Sequence, residues 1–155
     1  MGEISKDYIN PFLMAATGIM KDACQVDLNI GEPYVKTNEF SKESAIIMIG
    51  LTGQLKGQVL LAFTMQSALD AASKMMMGMP VTALDDMAKS AISELGNMIM
   101  GNAATMLSQK GVIVDITPPS LAIGTVNIVT TYAQNICVPF EGGGIKMEIN
   151  VAIKQ

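Results

Sequence analysis

An α+β fold built as a pseudo-twofold repeat, with a largely antiparallel sheet and two long helices on one of its faces, is the architecture this 155-residue sequence predicts. Three observations point to it. Half of the residues are apolar and only 15% are charged, which suits a chain that buries a real core. Segments of helical period and of strand period both occur along it. The order helix, short strand, proline, hairpin also occurs twice, at an offset near 86–90 residues.

Each element has its own signal. From Asp7 to about Cys24, the residues Ile9, Phe12, Leu13, Ala16, Ile19 and Met20 share one helical stripe. Val26, Leu28 and Ile30 alternate with polar residues as a short strand does, and Pro33 punctuates it. Ser44–Leu51 and Leu55–Thr64 read as the arms of a hairpin with Thr52-Gly53 in its turn. Ser67–Met77 is a helix that ends at Gly78 and Pro80. The fourteen methionines read first as flexible core filler, with the run Met75-Met76-Met77-Gly78-Met79-Pro80 leaving some for a surface that meets a partner as the lesser alternative. Thr82 is expected to cap a long helix reaching about Gln109, with Asp85 as the acidic half of a capping-box-like start and Gly111 as its stop. Strands are expected at Val112–Thr117, Ala122–Thr130, Asn135–Phe140 and Ile145–Lys154, with Pro118-Pro119 ending the first and Glu141–Gly144 turning the last hairpin.

The two halves can be laid on each other. "VDLNIGEP" (Val26–Pro33) resembles "VIVDITPP" (Val112–Pro119), and the two hairpin segments share strand, glycine turn, strand. This predicts a single domain over residues 1–155, made of two α-β-β repeats at about 5–65 and 82–155.

Composition removes several kinds of chemistry. With 10 basic and 14 acidic residues the net charge is −4, and the basic residues are scattered, which argues against a nucleic-acid surface. The chain has no histidine, so imidazole nucleophile relays, imidazole metal sites and a histidine phosphorelay are out of reach. Cys24 and Cys137 are far apart and form no CxxC, which suits two small buried residues in a reducing compartment. No metal site is expected. No apolar run reaches membrane-spanning length, and a cytoplasmic location is expected.

The long second-half helix carries the one unusual pattern. Ala88, Ile92, Leu95, Ile99, Ala103 and Met106 step by three and four and form the expected buried stripe. Ser90, Glu94, Asn97 and Gly101 form another stripe turned away from it, flanked by Ser93, Gly96 and Met100. Glu94 and Asn97 are i,i+3 neighbours on one face. A mid-helix glycine costs about 1 kcal/mol against alanine, so two of them here call for a reason. For Gly101, packing against another helix and approach of a partner both explain that cost. Gly96 lies off the expected buried stripe, so close approach of another body is its simplest use, and a leucine there is expected to block that approach. A carboxamide is no general base, but it can orient a water by hydrogen bonding. The pair is half of a site. Its other half, a phosphoryl group with a metal and a cation, would come from a partner.

At these residues the chain resembles the CheC/CheX/FliY family of bacterial chemotaxis phosphatases, and its CheX branch most closely. The family signature is Asp or Ser, three residues, Glu, two residues, Asn, then Pro about 22 residues on. Here Ser90, Glu94, Asn97 and Pro119 match it, with 21 residues between Asn97 and Pro119, one short of the pattern. Asp86 and Ser90-Ala91 fit the family's lead-in, and "INPFLMAAT" (Ile9–Thr17) looks like its opening. Aligning Pro33 with Pro119 sets Tyr8 opposite Glu94 and Pro11 opposite Asn97, so one site is expected, in the second half.

The resemblance implies a CheC-like fold and hydrolysis of the aspartyl phosphate on a CheY-like response regulator in chemotaxis signalling. The regulator would bring Mg²⁺ and an active-site Lys; this chain would need no cofactor of its own. Glu94 would dock to that Lys, and Asn97 would hold a water in line with the phosphorus. Ser90, Ser93, Gly96, Gly101 and Pro119 would support the site or meet the partner, and two copies would join as a homodimer through a sheet edge. The residues taken alone leave a solvated Glu94, pairing with Lys89 or a neighbour, and a plain helix-face Asn97 open. A non-catalytic module that binds a phosphorylated receiver or a flagellar switch component uses the same ridge. A small-molecule enzyme is disfavoured, because the chain offers no nucleophile, base or phosphate-binding loop.

Overall fold

The computed structural model describes residues 6–35, 39–127 and 135–154. In chain order the elements are α1 (Lys6–Cys24), β1 (Asn29–Ile30), β2 (Tyr34–Val35), β3 (Glu39–Gly53), β4 (Lys56–Thr64), α2 (Met65–Met75), α3 (Asp86–Gln109), β5 (Val114–Ile116), β6 (Ser120–Asn127), β7 (Ile136–Gly142) and β8 (Ile145–Lys154). The strands form one eight-stranded sheet in the order β1-β7-β8-β4-β3-β5, with β2 also on β7 and β6 also on β3. The pairings are antiparallel.

Local chemistry sets the boundaries. Gln25 holds a left-handed φ of 55° at the end of α1, and the Val26 amide bonds back to the Met20 carbonyl. That cap delays the strand expected from Val26, so β1 starts only at Asn29. The same happens after α3, where the Val112 amide bonds to the Leu107 carbonyl and β5 starts at Val114. Thr64 caps α2 by accepting from the Ser67 amide. The expected Thr82 cap is not used: Asp85 caps α3 and accepts from the Ala88 amide at 2.9 Å. Aspartate at this position satisfies a free amide and adds charge at the positive end of the helix. The first hairpin turns at Gln54-Leu55, two residues later than expected, because β3 stays paired to β5 through Gly53. The last turns at Gly143-Gly144, both with positive φ, as a two-residue hairpin loop matching strand twist requires. The short β2 had no signal of its own. Of the strand expected at Ala122–Thr130, residues 128–130 lie outside those described.

The repeat becomes an exchange of strands. Each half supplies a hairpin, β3–β4 or β7–β8, and the two hairpins join through β4 and β8 at the centre. The short strands cross over: β1 and β2 of the first half add to β7, while β5 and β6 of the second add to β3. Asn29 pairs with Glu141 where Asp115 pairs with Thr52, and Tyr34 pairs with Cys137 where Ser120 pairs with Met48. Both comparisons give offsets of 86 residues on the short strands and 89 on the hairpins, which is the pseudo-twofold repeat.

All three helices pack on one face. Alternate residues of the sheet (Ala45, Ile47, Ile49 and Leu51 on β3, Val59, Leu61 and Phe63 on β4, Ile149 and Val151 on β8) meet Phe12, Ala16 and Met20 of α1 and Ile92, Leu95, Ile99 and Ala103 of α3. Each large aliphatic or aromatic side chain buried here contributes about 1.5–3 kcal/mol. The opposite face holds a smaller cluster of Ile46, Leu60 and Ala62, with Met48 against it. There Cys137 and Asn150, paired across β7 and β8, are both fully buried, and the Cys137 thiol donates to the Asn150 carbonyl. Among the described residues neither cysteine is in a disulfide, and both are buried. Among the described residues no helix is long and apolar enough to cross a membrane.

Candidate functional site

α3 presents the predicted polar stripe at the surface. Glu94 is exposed and Asn97 half-buried, one turn apart. Among the described residues, neither the Glu94 carboxylate nor the Asn97 carboxamide has an ion-pair or hydrogen-bond partner. Lys89, a candidate partner for Glu94 on sequence, does not pair with it. Two polar groups thus stand ready on one helical face without an internal use.

The glycines divide. An added Cβ at Gly101 meets nothing within 4 Å, so that position is a low point of the exposed ridge. Gly96 instead faces the sheet: it is buried, and a Cβ there would come within 2.8 Å of Ile47 Cγ2 and 3.0 Å of its Cδ1. The expectation that Gly96 clears space for an outside body is therefore wrong. Its missing side chain lets the α3 backbone settle onto β3. Met100, placed beside the polar stripe on sequence, is also buried, and Met106 of the expected buried stripe is only half-buried, with Leu107 buried in its stead. The reason is the number of neighbours: α3 packs against α1, α2 and the sheet together, so its buried arc is wider than one stripe. Gly101→Ala should raise the unfolding free energy by about 1 kcal/mol, read from urea denaturation. A loss instead would show that something already covers the ridge.

Beside the pair runs a groove of about 440 Å³, lined by Lys89, Ser90 and Ser93 of α3 and by Leu121 and Ile123 of β6. Ser90 is exposed and Ser93 half-buried. Leu121 and Ile123 lie opposite Ile47 and Ala45 on β3, so they point to the helix side of the sheet, where α3 leaves Ile123 41% exposed. Lys89, Leu121 and Ile123 were not anticipated as part of the site. The alternation of Leu121 and Ile123 in sequence shows only that they share a face.

Half-buried Pro119 lies in the step between β5 and β6, both of which pair with β3. Thr117 bridges that step. Its amide donates to the Gly50 carbonyl at 3.0 Å, and its hydroxyl accepts from the Gly50 amide at 2.8 Å. The matching step in the first half has only one such bond, from the Gly31 amide to the Pro139 carbonyl, because Pro139 has no N–H and Gly31 no hydroxyl. The doubly tied step is the one that aims β6, and with it Leu121 and Ile123, along α3.

Chemically, this surface offers a carboxylate, a neutral amide, hydroxyls and one ammonium. The cysteines stand apart from it, and burial pushes the Cys24 thiol above its ordinary range, with Lys74 offsetting only part of that. The site can orient and attract. It holds no activated nucleophile.

Comparison with known proteins places the chain. Residues 45–141 match the family described as chemotaxis phosphatase CheX. The CheY-P phosphatase CheX of Thermotoga maritima is 34% identical over 116 residues, which is 75% of each chain. A CheC-like superfamily protein of Shewanella sp. PV-4 superposes with a TM-score of 0.88 at 28% identity, over 98% of this chain and all of that one. The CheX of Borrelia burgdorferi, solved in complex with CheY, BeF₃ and Mg²⁺, gives a TM-score of 0.77 at 33% identity over 97% of this chain and all of that one. On these grounds, with one eight-stranded sheet carrying its helices on a single face, the chain belongs to the chemotaxis phosphatase CheX family.

Proposed function

We propose that this chain hydrolyses the aspartyl phosphate of a CheY-like response regulator, with Asn97 orienting the attacking water and Glu94 docking to the regulator's active-site Lys. The observation that carries it is the pair of unpartnered polar side chains on one exposed turn of α3, in a chain whose relative from Borrelia burgdorferi is captured with CheY, BeF₃ and Mg²⁺. The Asn97 carbonyl accepts a hydrogen bond from the water and holds its oxygen in line with the phosphorus. The water oxygen bonds to phosphorus, the bond from phosphorus to the aspartyl oxygen breaks, and the water proton leaves with the products, a free carboxylate and inorganic phosphate. Mg²⁺ stays with the regulator and neutralises charge on the transferred group.

In this reading the chain acts in the cytoplasm as one domain of two repeats, about 5–65 and 82–155, and as a homodimer joined through a free sheet edge. Ser90, Ser93 and Gly101 keep the ridge low, and Pro119 shapes the start of β6 beside it. Gly96 supports the site from below by fixing the height of α3 over the sheet.

The test is the lifetime of a response regulator charged with acetyl phosphate and Mg²⁺, with and without this chain. Shortening that depends on Asn97 supports the reading; binding without shortening would make the chain a non-catalytic module instead. Glu94→Lys sets two cations against each other and should raise the regulator concentration needed for half-maximal rate by at least about tenfold, with a smaller change in the saturated rate.

A further inference from the structure

Resting on that reading, we propose that the groove between the N-terminal half of α3 and β6 is a specificity site: it seats an apolar side chain of the phosphorylated receiver domain, and Ile123 and Ser93 decide which receivers fit. Three observations carry this. Ser90 and Ser93 stand one turn before Glu94 and Asn97, so a globular body whose acyl phosphate reaches Asn97 covers the groove as well. The groove has an aliphatic wall in Leu121 and Ile123 and a floor kept low by two small hydroxyls, the shape of an anchor pocket at an interface. Among the described residues its one charged lining residue is Lys89, in a chain of net charge −4. A receiver bearing an acyl phosphate presents negative charge beside its active site, and an ammonium at the rim with no carboxylate among the described lining residues complements it.

The groove is also rigidly placed. The close seat of Gly96 on Ile47 sets its helical wall, and the double tie of Thr117 to Gly50 sets the strand that forms the other. Rigid walls let a binding site discriminate by shape.

The experiment measures KM and kcat for dephosphorylation of a charged receiver by the full chain and by two variants, with a thermal melt for each. Ile123→Asp puts a carboxylate on the aliphatic wall facing an anionic partner, and should raise KM on the order of tenfold or more, with the effect falling on KM far more than on kcat. Ser93→Leu fills the groove from the helical side, adds no charge and should raise KM similarly, so the proposal stays testable if Ile123→Asp fails to fold. Across a panel of receiver domains Ser93→Leu should also reorder kcat/KM. Unchanged KM and unchanged order in a folded Ser93→Leu variant overturn the groove as a specificity site. If that result comes with a rate still dependent on Asn97, only this inference falls; if the rate is independent of Asn97, the reading of the site falls with it.

Discussion

Asn97→Ala should lower the rate at which this chain discharges a phosphorylated response regulator by on the order of 10²–10³. The size follows from what the side chain supplies. In the proposed reading the described surface provides no nucleophile and no strong base, so positioning of the water would be nearly the whole of Asn97's contribution, and one well-placed polar group is commonly responsible for that much. The loss should appear in the saturated rate, since on the proposed reading Glu94 and the ridge would still dock the partner. Stability should change little, because the Asn97 carboxamide is half-buried and has no partner among the described residues to leave stranded. A single-turnover decay of the phosphorylated regulator with saturating variant measures this directly. A decay within twofold of that seen with the unaltered chain would remove Asn97 from the mechanism.

Gly96→Leu should destabilise the fold by about 3 kcal/mol or more, the upper end of what overpacking a well-filled core costs. The first added atom would already sit 2.8 Å from Ile47 Cγ2, and three further carbons would follow it into the interface between α3 and β3. For a chain of 155 residues this corresponds to a drop in Tm of roughly 6–12 °C. The milder Gly96→Ala should lose less, and Ile47→Ala, costly alone, should recover part of that loss, since both crowding carbons leave with it. Additive losses in the double variant would show that Ile47 is not what Gly96 makes room for. Any fall in activity from these variants should track the unfolded fraction or a shift of α3. The outward Gly101 should behave oppositely, gaining stability on substitution.

Much of the site was legible because it is local. The i,i+3 spacing of Glu94 and Asn97 places both on one face of any helix that includes them, whatever surrounds it. Capping chemistry, glycine turns and strand alternation are equally local, which is why α1, α2, α3 and both hairpins lie close to their expected positions. The differences fall where local groups compete: Asp85, expected as the acidic half of the capping box, itself takes the cap expected of Thr82, and the backbone caps at Val26 and Val112 shorten the strands that follow.

By itself, then, the sequence determined the elements, the doubling at an offset near 86–90 residues, and the sharing of one helical face by Glu94 and Asn97, because each depends on contacts within a few residues or on a repeated pattern. The tertiary structure alone decided that the short strands cross to the opposite hairpin, that Gly96 looks inward while Gly101 looks out, and that Ile123 comes to lie beside Ser93. These depend on how many neighbours surround α3 and on pairings between residues such as Ala45 and Ile123, far apart in the chain. A helical period gives the direction of each side chain around the axis but not which directions are occupied, and only packing supplies that.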